Sequence, residues 1–330
     1  MMTRSFDPRI LCLVVAAVFM TRCGSDNGGG TTERPYENVH LDLFTVAPLP
    51  AGMMYELWAA PPEAALTAHE EDWVSLARFN VNIDDNQRRL VDESGVEISN
   101  NDLEGLPADL EDFDSLFVTV EPHPDNDSLP SGIVYLRGEI GLPSHAIVSM
   151  RFPAEGLTAP NEFAIASFIT PTDTDTSNEL SGVWFLAGDF TPSLFSLPLP
   201  PPGWIYEGWA IRGATALSTG QFADYTAADD GNPYSSNEVA PPDAPGEDFL
   251  MNPPPGVTFP FTFTQGDEVA VTVEPDAVWD PAAPFPYKIF VSEPGEIPQP
   301  GQPHNLDALG DNIFDEAFPV AQALITRPPE

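Results

Sequence analysis

Apolar and polar residues alternate with a period of two in eight short runs along the chain. In the first half they are "VHLDLFTV", "MMYELWAA", "LFVTVEP" and "GIVYLRG"; in the second they are "GVWFLAG", "WIYEGWA", "VAVTVEP" and "YKIFVSE". Each run is rich in β-branched and aromatic residues and ends near Pro or Gly, the pattern of a β-strand. In "LFVTVEP", Leu116, Val118 and Val120 fall on one face and Phe117, Thr119 and Glu121 on the other. In "VAVTVEP", Val269, Val271 and Val273 oppose Ala270, Thr272 and Glu274. One face is fully apolar and has to be covered, so the expectation is an all-β protein of sandwich-like or barrel units. Proline clusters such as "APLPAG", "LPLPPPG" and "NPPPG" separate the runs and oppose helix formation. The best helix signal is "LDALGDNIFDEAF", from Leu306 to Phe318.

The runs come in two sets. "VTVEP" occurs at Val118–Pro122 and again at Val271–Pro275, 153 positions on. Upstream of each stands Gly-x-x-Tyr-Glu-x-Trp, carrying Tyr55, Glu56 and Trp58 in one copy and Tyr206, Glu207 and Trp209, 151 positions later, in the other. Between the motifs lie "SLARFNVNIDD" and "LSTGQFADYTAADDG", each an aromatic-centred run that leads to paired aspartates. Four matched features in one order at a domain-sized spacing indicate duplication. The expected organisation is two tandem β-domains, residues 36–158 and 159–330, the second with a C-terminal extension.

The N-terminal segment has a different character. Arg4 and Arg9 precede an unbroken apolar run of eleven residues, Ile10 to Met20. A bilayer needs about 20 residues to be spanned, so this run suits the centre of a secretory signal. It ends at Cys23, followed by a Gly, Ser, Asp and Asn stretch that reads as a flexible tether through residue 35. The arrangement resembles a bacterial lipoprotein signal over residues 1–22, with Thr21 and Arg22 where small residues usually stand. The resemblance implies lipidation of Cys23 and a membrane anchor. Cys12, the other cysteine, would leave with the signal, so the remaining thiol has no internal partner for a disulfide. Gly24 follows Cys23, not the aspartate that resembles an inner-membrane retention signal, which favours the outer membrane or cell surface.

Charge removes one class of partner. The chain carries a formal net charge of −39, and loss of Arg4, Arg9, Arg22 and Asp7 with the signal leaves 9 basic against 50 acidic residues, or −41. Nucleic acid and anionic lipid headgroups need clustered cations, and Lys288 is the only lysine. With 42% apolar residues and six Trp, the chain still has the material for a core.

Tyr-Glu-x-Trp, the aromatic-centred run and Thr-Val-Glu-Pro, taken in order, resemble the extracytoplasmic C-terminal domain of anti-sigma-K factors. The resemblance covers about residues 36–140 and 180–297, and the second copy, with "STGQF" at Ser218–Phe222, is the closer match. It implies a cell-envelope module, here doubled. The membrane-spanning helix and the cytoplasmic sigma-binding segment of such factors have no counterpart in the sequence, so direct sigma-factor binding is not expected.

Candidate chemistry is sparse. Glu121 and Glu274 share one motif position, and Glu56 and Glu207 lie on the strand face of Trp58 and Trp209. A structural role is expected, with the carboxylates accepting backbone N–H bonds and the indoles packing. The alternative is carbohydrate binding or glycoside chemistry using the same carboxylates and aromatics. Aspartate-rich loops offer calcium candidates at Asp173, Asp175 and Glu179, with Asp125, Asp127, Asp229 and Asp230 behind them, although none completes a twelve-residue calcium loop. The five histidines show no metal spacing, and there is no G-x-S-x-G elbow, phosphate-binding glycine loop or dinucleotide fingerprint. A non-enzymatic, cofactor-free envelope protein, sensor-like or interaction-mediating, is the expectation.

Overall fold

A computed structural model describes residues 34–62, 72–141, 147–152, 164–194, 197–278, 283–292, 298–308 and 319–329. The signal-like segment, Cys23 and the tether through residue 33 lie outside the described residues, as do residues 309–318 of the helix signal. The first residues of that signal, Leu306 to Ala308, close a β-strand.

The described chain is all-β. The first repeat contributes β1 (Asn38–Leu43), β2 (Met53–Ala60), β3 (Val74–Asp84), β4 (Gln87–Val91) and β5 (Asp102–Leu103). It continues with β6 (Ser115–Pro122), β7 (Val134–Glu139), β8 (Ile147–Arg151) and β9 (Ala164–Ser167). The second contributes β10 (Gly182–Trp184), β11 (Trp204–Arg212), β12 (Thr215–Phe222) and β13 (Gly246–Asp248). It ends with β14 (Glu268–Pro275), β15 (Lys288–Ser292), β16 (Pro303–Ala308) and β17 (Val320–Thr326). All eight alternating runs contain strands. Among the described residues no helix is long and apolar enough to cross a membrane.

Two antiparallel sheets result. The first has the order β4-β3-β2-β6-β7-β8-β17-β1-β5 and the second β12-β11-β14-β15-β16-β9-β10-β13; one curls into a half-barrel and the other forms a nearly closed barrel. The duplication extends to irregularities. A β-bulge falls between Val118 and Thr119 in one sheet and between Val271 and Thr272 in the other. A second falls at Leu57/Trp58 and at Gly208/Trp209. Bulges re-aim side chains and sharpen twist, so their repetition at the motif residues sets the same local geometry twice.

β9 lies past residue 158, where the sequence placed the repeat boundary, but it stands between β16 and β10 as β17 stands between β8 and β1, so it is the counterpart of β17 and the last strand of the first repeat; neither strand stays with its repeat. β9 follows β8 in sequence but pairs with β16 and β10 of the second sheet. β17, within the stretch expected as a C-terminal extension, follows β16 but pairs with β8 and β1 of the first. The exchange is reciprocal. Both strands put alternate alanines inward, Ala164 and Ala166 in β9 and Ala321 and Ala323 in β17, all buried. One continuous hydrophobic core runs from Val39 to Ile325 with residues of both sheets, and residues 34–330 form one compact unit.

Candidate functional site

The motif residues form the same hydrogen-bonded chain in each repeat. Trp58 on β2 donates its indole N–H to the Thr119 hydroxyl on β6 at 2.8 Å, and that hydroxyl donates to the Glu121 carboxylate. Glu121 in turn accepts the Ser131 backbone N–H at 3.0 and 3.1 Å. In the second repeat Trp209 donates to Thr272 at 2.8 Å, Thr272 donates to Glu274, and Glu274 accepts the Phe285 N–H at 2.8 and 3.1 Å. The tyrosines match too. Tyr55 donates to the Ala47 carbonyl at 2.8 Å and Tyr206 to the Pro198 carbonyl at 2.9 Å, each eight residues upstream.

Strand alternation marked the Val face of each VTVEP strand as one that has to be covered, and the Thr-Glu face is buried as well. Glu121 is 1% exposed and Glu274 0%. In the first repeat a satellite cluster of Trp58, Ala60 and Phe117, with Trp73 stacked on Phe117 at 4.2 Å, covers the outer side. Burial pushes the Glu121 carboxyl up to about 7, against the pull of the Ser131 N–H and the Thr119 hydroxyl.

Glu56 and Glu207 are also interior. Burial raises both, and their neighbours differ. Glu56 takes the Ser75 hydroxyl and an ion pair from Arg78 at 2.9 Å, and Arg78 also pairs with the buried Asp125. Glu207 keeps the matching Ser218 hydroxyl and, in place of the cation, accepts the Gln221 amide at 3.0 Å. The indoles beside them are no sugar platform: Trp58 and Trp209 are each 1% exposed, leaving no ring face for a ligand.

The calcium candidates are spread through local turns. Asp173 accepts the Asp175 N–H at 3.2 Å and the Asn178 amide at 2.7 Å; Asp175 accepts the Ser177 N–H at 2.9 Å; Glu179 accepts the Thr170 N–H at 2.9 Å. The Ser177 hydroxyl and N–H hold the Asp175 carboxyl below its usual range. Among the described residues no group of three or more His, Cys, Asp or Glu could hold a metal ion. Asp127 caps a turn through the Leu129 N–H at 2.9 Å.

Sequence reasoning missed a buried acid cluster at one margin of the second sheet. Asp248 accepts the Trp184 indole N–H at 2.7 Å, the Thr172 N–H at 2.9 Å and the Thr172 hydroxyl. Glu247 accepts the Ser235 hydroxyl and the Tyr234 N–H, the latter at 3.2 Å. Asp229 accepts the Gly246 N–H at 2.8 Å, while Asp230 accepts the Gln221 N–H at 2.7 Å, so this aspartate pair stitches β13 to β12, the two ends of the second sheet. Burial drives all three interior acids upward: Asp248 to about 6, Asp229 to about 7 and Glu247 to about 8. The "DDGN" letters marked Asp229 and Asp230 as a loop; "GED" was too short to show a strand.

Two histidines are engaged structurally. His40 bridges Asp102 at 2.8 Å and Asp42 at 3.2 Å, and His304 accepts the Gln299 N–H at 3.0 Å. The cleft beside His304, bounded by Phe168, Phe263 and Asp267, has a volume of about 20 Å³, room for one water molecule. No protein family, no curated protein and no solved structure matches the chain.

Proposed function

We propose that the protein is a non-enzymatic, lipid-anchored protein of the bacterial cell envelope, held at Cys23 and serving as a sensor-like or protein-interaction module. The observation that carries this reading is the fate of the repeated carboxylates. Glu121 and Glu274 each spend both oxygens on a backbone N–H and a threonine hydroxyl of their own repeat. A general acid or nucleophile needs its carboxyl within reach of a substrate, and these face the interior. The motif therefore serves the scaffold, and function falls to the loops and surfaces it supports. The N-terminal sequence supplies the anchor: Arg4 and Arg9, eleven apolar residues and Cys23. The acidic surface suits a protein partner better than an anionic headgroup or a nucleic acid.

In-cell crosslinking of the lipidated protein, followed by mass spectrometry, tests the interaction role. Capture of one defined envelope protein, such as a membrane-spanning anti-sigma factor, is the expected result. Recovery of the protein only with itself would remove the hetero-interaction role. Radiolabelled palmitate tests the anchor: wild type takes up label and Cys23→Ser does not, whereas equal labelling of both would remove the lipid.

A further inference from the structure

We propose that β17 is an exchangeable strand, and that two copies of this chain can form a closed dimer in which each supplies β17 to the other's first sheet. The slot is defined on both sides. β17 pairs with β1 over six residues, Asn38↔Thr326 to Leu43↔Ala321, and with β8 over five, Val320↔Arg151 to Leu324↔Ile147. Without it the nine-stranded sheet falls into a six-stranded piece and the β1–β5 pair, each with a bare ladder edge. Unpaired N–H and C=O groups beside a buried apolar face are costly, so the slot demands an extended occupant.

The molecule itself shows that the occupant need not belong to the repeat that forms the slot. The corresponding slot of the second sheet, between β16 and β10, holds β9 from the first repeat. A strand from outside the repeat fills both slots, and the inward side chains are the small Ala321 and Ala323 in one and Ala164 and Ala166 in the other. Every partner of β17 is present in a second copy with the same register, so the trans arrangement makes the contacts of the cis arrangement. What separates the two is the effective concentration of the tethered strand, on the order of millimolar for a short connection. Monomer should dominate in dilute solution and the exchanged dimer should grow as refolding chains approach that concentration.

The test uses residues 23–330 with Cys23→Ser, which carries no native thiol, and adds Asp42→Cys and Gln322→Cys, an outward-facing pair opposed across β1 and β17. Cα atoms of paired strand residues lie about 5.5 Å apart or less, within disulfide range. The reduced chain is refolded at about 5 μM and at about 0.5 mM, oxidised, and run on a non-reducing gel. An intrachain bond in the dilute sample and at least a tenfold larger interchain-linked dimer fraction in the concentrated one is expected. A chain oxidised as monomer before refolding should stay monomeric. Only intrachain bonds at both concentrations, or equal dimer from the pre-oxidised chain, would overturn the proposal. Independently, two thiol-free chains of different mass are refolded together at about 0.5 mM and weighed intact. Mixed dimers are expected, and their absence would overturn the exchange whether or not the introduced disulfide closes.

Discussion

The two repeats keep the same hydrogen-bonded scaffold and differ in how they treat the charge beside it. Trp–Thr–Glu–backbone chains are reproduced to within 0.3 Å at every distance given above. Beside them the copies part. The first surrounds Glu56 with Arg78 and Asp125, while the second gives Glu207 the neutral Ser218 and Gln221. Leu57 in one copy is Gly208 in the other, where a β-carbon would lie 2.1 Å from the Thr219 hydroxyl and 2.5 Å from the Phe185 ring. Hydrogen bonds between interior groups tolerate little change, because an orphaned partner carries its full desolvation cost. Charge compensation at a partly wetted site is replaceable, and the second copy has replaced it with neutral donors.

The largest test of the shared part is removal of its indole. Trp58→Ala and Trp209→Ala should each lower stability by about 3–5 kcal/mol, through lost burial and an unpaired threonine, measured as the shift in urea midpoint. A small effect in one copy alone would break the equivalence. Next comes conversion of one environment into the other. Arg78→Gln gives the first copy the second's neutral partner but strands Asp125, and should cost about 2 kcal/mol, below the value for a fully buried pair because Arg78 is partly exposed. No loss would mean that Asp125 has no need of the cation.

pH should act mostly through the second repeat, although Glu121 in the first is also pushed up to about 7. Asp229, Glu247 and Asp248 are all in the second repeat, and their carboxyls lie above the usual range because burial favours the neutral form. The folded state thus holds protons that the unfolded chain releases. Their contribution is fully present below the unfolded value near 4 and is lost as pH rises through about 6 to 8. The melting temperature should therefore fall by about 5 °C or more between pH 5 and pH 9, and Glu247→Gln should flatten that slope. A rising profile would show that these acids are ionised in the fold. The smallest effect concerns the relay's middle member: Thr119→Val and Thr272→Val should each cost about 1–2 kcal/mol and match one another in chemical denaturation.

The strands were legible because alternation and proline spacing survive in a single sequence, and the duplication because Tyr55/Tyr206 and Val118/Val271 keep their spacing. The full burial of the polar face of VTVEP was not legible for a physical reason. Alternation says which residues share a face, but whether a second layer covers the polar one depends on remote residues such as Trp73. The exchange of β9 and β17 left only a faint trace, the paired Ala-x-Ala of "AIAS" and "AQAL", because pairing between distant segments has no local signature. Asp248 escaped for a similar reason, since its partners Trp184 and Thr172 come from other segments.

The position of β17 also has a kinetic consequence. Val39 near the start of the described chain takes Ile325 near its end as ladder partner. Contacts so remote in sequence slow folding, since the entropy of closing the loop must be met before the contact gives anything back. During synthesis the first sheet has no way to close until the last strand has been made. A nascent chain of this kind stays open longer than one whose strands pair with their neighbours. The topology that joins the repeats in the finished protein thus also postpones closure of the first sheet until β17 has been synthesised.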